Sequence, residues 1–412
     1  MRLNELRRSG HAPSLAAALI HFDVSFMCWV LLGALGAYIA EDLALSPFEK
    51  GVVVAVPLLS AAFMRLVLGL LGDRLGPKRV GLVSMAVVTL PLLWGWLAAG
   101  TLPQVLGVGL LLGVAGASFA VALPLASRWY PPRLQGFAMG IAGAGNSGTV
   151  IATLAAPRIA EHTGWHAVMG MALVPVALAF GAFALLAKEP PRTAQPLSAR
   201  GMAAMLREPD ARRMAGLYAI TFGGFVGLAS FLPILLHDQY GLTKVQAATI
   251  AACGGALGSL LRPVGGHLGD RVGGTTVLSG VLGVAGAGLL FVSGLPSVGA
   301  TAVAFVLTMG ALGLGNGAVF QLVGLRFGDR IGAMTGIVGA AGGLGGFALP
   351  FALGLVKQTA GSYGVGLALL AAIAASALLI VRIVRGAMRT RAALGGGASA
   401  PGGLAPAAEL RA

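Results

Sequence analysis

Apolar runs of about twenty residues recur along almost the whole of this 412-residue chain, parted by short polar or charged breaks. Each run is long enough to cross the ~30 Å hydrocarbon core of a bilayer as a helix. Inside that core backbone N–H and C=O groups have to find their partners within the chain, so runs of this length are helices. We place twelve of them near residues 15–40, 51–71, 79–99, 103–127, 136–157, 166–187, 214–236, 246–268, 275–294, 298–323, 332–355 and 363–384. Composition excludes the soluble alternative, because only 10% of residues are charged against roughly 25% in soluble domains. The expected fold class is an all-α membrane protein with twelve transmembrane helices. Residues 1–10 are basic, but the apolar stretch after them outruns a signal peptide's ~15-residue core and carries Asp23, so the first span is expected to be retained. Cys28 and Cys253 lie within apolar segments without a partner at metal-ligand spacing, so neither a metal nor a disulfide is expected.

A net charge of +14 invites a nucleic-acid reading, and the position of the charges removes it. Of the 28 basic residues, 22 fall at the termini and in alternate loops, among them Arg74, Lys78, Arg79, Arg128, Arg271 and Arg326. The opposite loops hold only Lys50, Arg158, Lys244 and Lys357. The bias orients the chain with both termini cytoplasmic and explains its basicity through the lipid bilayer alone, with no nucleic acid as partner.

The one long polar stretch between spans runs from Lys188 to Arg213 and carries Pro190, Pro191, Pro196 and Pro209. It divides the chain into an N-terminal six-helix bundle (1–187), a cytoplasmic linker (188–213), a C-terminal six-helix bundle (214–391) and a disordered tail (392–412) rich in Ala, Gly and Pro. The two bundles repeat each other. GLLGDRLG from Gly69 returns as GHLGDRVG from Gly266, an offset of 197 that also relates Arg65 to Arg262, and GIAGAG from Gly140 returns as GIVGAA from Gly336. Parallel repeats with a site near the midplane are a common plan for secondary transporters. GLLGDRLGPKR resembles the signature loop of the major facilitator superfamily, with its second copy after the eighth span, and the resemblance covers roughly residues 15–385. It implies two pseudo-symmetric halves (the major facilitator fold) and a gating role for Asp73, closing the cytoplasmic face through contacts with the other half. The alternative is that the GDR turn only ends a helix in a hydrated loop.

An arginine at bilayer depth costs about 2.5–3.5 kcal/mol on insertion scales, so Arg65 and Arg262 need a reason. With the second span ending near Leu71, Arg65 lies roughly 9 Å inside it. Snorkelling to the interface and pairing with a carboxylate are the structural alternatives. Of the 14 acidic residues, however, only Asp23 lies well within a span, so a bound anion is the simplest compensating charge. Guanidinium is planar, permanently charged and forked, and two forks from opposite halves suit a small planar oxyanion such as nitrate.

GIAGAGNSG (from Gly140) and GIVGAAGGLGGFALP (from Gly336) are glycine-dense enough for helix backbones to approach each other and a small ligand. The GxGxxG pattern within the first is not a dinucleotide loop, because it lies inside an apolar span with no strand before it. The pair resembles the signatures of the nitrate/nitrite porter family, as do FDVSFMCWVLLGALG from Phe22, GASFA from Gly116, LYAITFGGFVG from Leu217 and GLGNGAVFQ from Gly313. That resemblance implies a substrate site of Arg65, Arg262, Asn146, Tyr218, Phe222, Phe119, Phe26, Gly143 and Gly339. In it the arginines clamp the anion, Asn146 and Tyr218 donate to it, and the phenylalanines bound the cavity. Taken singly, each glycine could serve ordinary helix packing, each aromatic fill space, and Asn146 tie two helices together. The expected function is nitrate or nitrite transport across the inner membrane by a monomer without cofactor. An organic-anion or drug exporter and a non-transporting anion sensor are the alternatives. An enzyme is not expected, because no nucleophile–base pair, acid pair or metal cluster is evident.

Overall fold

The computed structural model describes residues 9–191, 199–327 and 330–395, and the expected disordered tail lies almost wholly outside them. α1 comprises Ala12–Trp29, Leu31–Ala34 and Gly36–Asp42, segments that follow one another through single tight residues. α2 (Pro47–Leu75), α3 (Pro77–Leu97) and α4 (Leu102–Gly116 continued by Phe119–Ser127) follow. The first part of α5 is Pro132–Gly143, which tightens into a 3-10 turn at Ala144–Ser147. Its second part and the start of α6 share the helix Gly148–Met171, broken at Gly164, where φ is 79°, and α6 finishes as Leu173–Leu186. The apolar stretch Ala138–Leu186 is 49 residues long. At 1.5 Å per residue that is more than twice a bilayer's thickness, so the Gly164 turn makes two crossings of it and the total is twelve. After a short linker helix, Ala199–Met205, the second half comprises α7 (Pro209–Tyr240), α8 (Lys244–Val272), α9 (Gly274–Ser293), α10 (Val298–Phe327), α11 (Ile331–Ala360) and α12 (Tyr363–Gly395).

Several helices outrun their apolar cores because capping extends them. α2 starts in a capping box of Ser46 and Glu49, and α8 in one of Thr243 and Gln246. They stop at Gly76 (φ 96°) and Gly273 (φ 88°), a backbone conformation that favours glycine. Both are 29 residues long. The linker expected over 188–213 is partly helical, and α7 already begins at Pro209.

α3, α6, α9 and α12 expose large apolar side chains such as Leu90, Leu97, Leu178, Leu185, Leu290 and Leu379, as a lipid-facing surface requires. Between the halves, small residues set the spacing. A Cβ on Gly51 of α2 would stand 2.5 Å from Pro350 O of α11, and one on Gly343 would stand 2.8 Å from the Ala62 Cβ. Hydrophobic attraction between helices is weak in lipid, so such backbone contact supplies the packing.

Candidate functional site

α2 and α8 carry their arginines at the same register: Arg65 and Arg262 each stand 18 residues from the start and ten from the end of their helices. Because α2 runs to Leu75 instead of stopping near Leu71, Arg65 lies roughly 15 Å from the helix end, deeper than its apolar run indicated. It does not snorkel, being 1% exposed. Its Nε donates to Gly116 O of α4 at 3.0 Å, and Nη1 donates across the half boundary to Gly339 O of α11 at 2.5 Å. Its guanidinium lies over Trp29 (5.2 Å), Phe222 (5.2 Å) and Phe119 (6.0 Å). Arg262 is half-buried, donates from Nη2 to the Tyr218 hydroxyl at 3.3 Å and lies over Phe320 at 5.4 Å. Neither arginine pairs with a carboxylate among the described residues.

The aromatic residues form two matching walls. Phe22 and Phe26 of α1 are one turn apart with centroids at 4.2 Å, and Tyr218 and Phe222 of α7 stack at 5.0 Å. An offset of 196 relates the two pairs. Phe119 and Phe320 join the walls across the half boundary, with centroids 6.0 Å apart, and Phe320 meets Tyr218 edge-on at 5.2 Å. Phe26, Phe119, Phe222 and Tyr218 are all buried.

Asn146 sits in the 3-10 turn of α5, 3% exposed, and donates from Nδ2 to the Ser259 Oγ of α8 at 3.0 Å, one turn before Arg262. Next to it, Ser147 Oγ donates to the Asp23 carboxylate at 2.6 Å. The glycines divide into two kinds. A Cβ at Gly143 would meet no atom within 4 Å, and one at Gly339 would make ordinary contact with Arg65 and Phe119 at 3.5 Å. The close backbone approach expected of these two glycine runs therefore falls on neighbours of Gly143 and Gly339. Gly148 would press 1.8 Å from Asp23 O, Gly345 2.0 Å from Ala219 O, and Gly342 2.7 Å from the Tyr218 ring.

A family model of the Major Facilitator Superfamily matches residues 17–350. The chain is 37% identical over 378 residues to the "Probable nitrate/nitrite transporter NarK2" of Mycobacterium tuberculosis, covering 89% of this chain and 94% of that one. It is 32% identical over 356 residues to the "Nitrite extrusion protein" of Bacillus subtilis, covering 86% and 90%. The chain belongs to the nitrate/nitrite porter family of the major facilitator superfamily. Among solved structures, a bacterial homologue of the human lysosomal transporter Spinster shares the fold, with a TM-score of 0.65, 17% identity and coverage of 90% and 94%.

The porter's halves are tied on the face away from the start of α1. There Lys50 of α2 pairs with Asp238 of α7 at 2.7 Å, Asp238 also accepts from the Tyr363 hydroxyl at 3.2 Å, and Glu41 at the end of α1 pairs with Lys244 of α8. The Lys244 ammonium lies 4.3 Å from the Tyr38 ring, and Arg158 donates to Thr249 at 2.9 Å. A cavity of about 580 Å³ opens among these residues and away from the arginines, so it is a vestibule of that face and not the clamp. On the face where α1 begins, Asp73 accepts from Arg128 of its own half, so the inter-half contact expected of Asp73 is replaced here by an intra-half one. Arg326 likewise pairs with Asp210 inside the second half, at 2.7 Å. Sequence reading missed Trp29, Phe320, Gly116 and Ser259. The offset of 197 links Gly116 to Gly313, and a mid-membrane Trp one turn after Phe26 was available as a signal.

Proposed function

We propose that this chain carries nitrate and nitrite across the inner (cytoplasmic) membrane by alternating access, as a monomer with both termini in the cytoplasm. The observation that carries the reading is the pair of guanidinium groups at one register of two symmetric helices, walled by aromatic rings and without a carboxylate partner among the described residues. A permanently charged fork that finds no internal anion is suited to a planar anion from outside. The relatives named for nitrate and nitrite support that choice of anion. The excess of Lys and Arg in the loops on the side where α1 begins supports the orientation.

Arg65 reaches the other half through Gly339 O, so an anion that takes over this donor breaks one tie between the bundles and replaces it with its own contact to both arginines. Binding is thereby coupled to rocking. Without an anion the two cations face each other at low dielectric, which raises the barrier for the empty carrier and favours exchange of one anion for another. In this reading Asp23, which accepts from Ser147 next to Asn146, tunes proton coupling without forming the anion site. In the same reading Gly143 borders the anion site, and Asp73 gates the cytoplasmic face by exchanging Arg128 for a partner in the other half.

The test is counter-flow: proteoliposomes loaded with nitrite are given labelled nitrate, then solutes of increasing size. Rapid nitrate entry that stops with larger organic anions supports the reading. Transport of bulky solutes in preference to nitrate points to an exporter, and nitrate binding without flux to a sensor.

A further inference from the structure

α10 passes the second arginine on a run of small residues, with Gly313, Gly315 and Gly317 around Asn316. A Cβ on Gly313 would stand 2.1 Å from Gly258 O, and one on Gly317 2.0 Å from Arg262 O, so α10 is pressed against the turn of α8 that carries Arg262. Asn316, between these two glycines in the chain, is 1% exposed. Its side chain makes no hydrogen bond among the described residues, and its amide oxygen is buried without a partner. Two residues that follow it in the helix touch the arginine: Gly317 backs the Arg262 carbonyl, and Phe320, one turn on from Asn316, lies 5.4 Å from the guanidinium. Across the helix interface, Thr221, next to Phe222, is fully buried with an unpartnered hydroxyl, and its methyl lies 3.0 Å from where a Gly315 Cβ would be.

The repeat sharpens this. The offset of 197 that relates Arg65 to Arg262 also relates Phe119 to Asn316. Phe119 presents its ring to Arg65 at 6.0 Å, so the second half has an amide where the first has an aromatic wall. Native interiors rarely leave such a group unpaired, and an apolar residue would fill the place without the desolvation cost.

We propose that Asn316 is a specificity-determining residue of the anion site, donating an amide hydrogen bond to an oxygen of the bound anion that the two guanidinium groups leave free. The inference rests on the nitrate/nitrite reading above. Nitrite has two oxygens, one for each arginine fork, whereas nitrate has a third that needs its own donor. An amide turns end for end to present Nδ2 or Oδ1, so the same side chain serves once an anion arrives. Asn316 therefore favours nitrate over nitrite.

The experiment compares wild type, Asn316→Ala and Asn316→Ser in proteoliposomes by counter-flow, with nitrate and nitrite each titrated as the external anion. We expect Asn316→Ala to raise KM for nitrate about tenfold, equal to roughly 1.4 kcal/mol, and KM for nitrite less than about threefold, with maximal rates held within about twofold. Asn316→Ser keeps a donor on a shorter arm and falls between. An unchanged KM for nitrate, or an equal rise for both anions, overturns the assignment, because a merely structural role does not distinguish the two. If Asn316→Ala does not accumulate as folded protein, the nitrate-to-nitrite ratio of Asn316→Ser decides by the same criterion. Wild-type protein that carries neither anion overturns the carrier reading itself, a result separate from any difference between variants.

Discussion

Replacing Arg65 with lysine keeps the charge and removes the fork. In the structure the guanidinium spans two carbonyls on different helices, Gly116 O at 3.0 Å and Gly339 O at 2.5 Å, while lying over Trp29 and Phe222 at 5.2 Å each. An ammonium on a similar arm is a point donor and cannot hold Nε's partner and the distal partner together while also meeting an anion in the plane. Losing one charge-assisted hydrogen bond costs about 1.5–3 kcal/mol. Weakening a desolvated cation–π stack adds about 1–2 kcal/mol. The sum, roughly 2.5–5 kcal/mol, corresponds to a loss of about two to three and a half orders of magnitude in anion affinity. The assay is nitrate/nitrite counter-flow at sub-saturating nitrate, normalised to protein that elutes as a folded peak in detergent. We expect Arg65→Lys to fall at least about a hundredfold below wild type, and Arg262→Lys, half-buried with a single 3.3 Å bond to Tyr218, to fall less. Uptake by Arg65→Lys within about threefold of wild type refutes the clamp.

Gly345→Ala places a methyl 2.0 Å from Ala219 O and is expected to lower both the melting temperature and transport, whereas Gly143→Ala, with open space around it, leaves both near wild type; thermal melts and counter-flow of the two variants separate packing from composition. Asp238→Asn weakens its pair with Lys50 and its bond from Tyr363, so spin-label distances across the vestibule are expected to lengthen in a larger fraction of molecules; an unchanged distance distribution rejects the pair as a latch. The hydrogen bond and charge of Lys244 hold the Glu41 carboxyl below its usual range, so its contribution to closure is complete above the ordinary glutamate value and is lost only as pH falls through the depressed one. The same distances should accordingly stay constant from about pH 8 to 6, and widening within that window contradicts the assignment. Asp23→Asn is expected to keep nitrate/nitrite exchange while losing uptake driven by a pH gradient, and wild-type uptake that ignores an imposed gradient removes Asp23 from coupling.

The number of crossings, the two-fold repeat and the paired arginines were legible in the chain alone, because each follows from a cost that cannot be hidden. Backbone in lipid forces helices of fixed minimum length, and a charge at depth is conspicuous in a chain with so few carboxylates in its spans. The repeat made Arg65 and Arg262 stand out, since duplication at one offset is not expected of snorkelling residues that answer only to local depth. What the linear order left open is rotation and contact. Trp29 and Phe320 read as ordinary membrane aromatics until the packing of α1 and α10 turned their rings toward the guanidinium groups. Glycine-rich runs announced close approach without saying where it falls, and the fold spends it at Gly148, Gly342 and Gly345 while leaving Gly143 in open space. Asp73 has arginines available in both halves, and only the tertiary arrangement pairs it with Arg128 of its own. In the linear order Asn316 is one polar residue among glycines. Its significance lies in what surrounds it: a helix pressed onto the arginine's backbone, with its amide oxygen buried and without a partner among the described residues. Sequence determines which groups are too costly to bury without a purpose, and tertiary structure decides which of them meet, because facing depends on helix rotation that no single segment encodes.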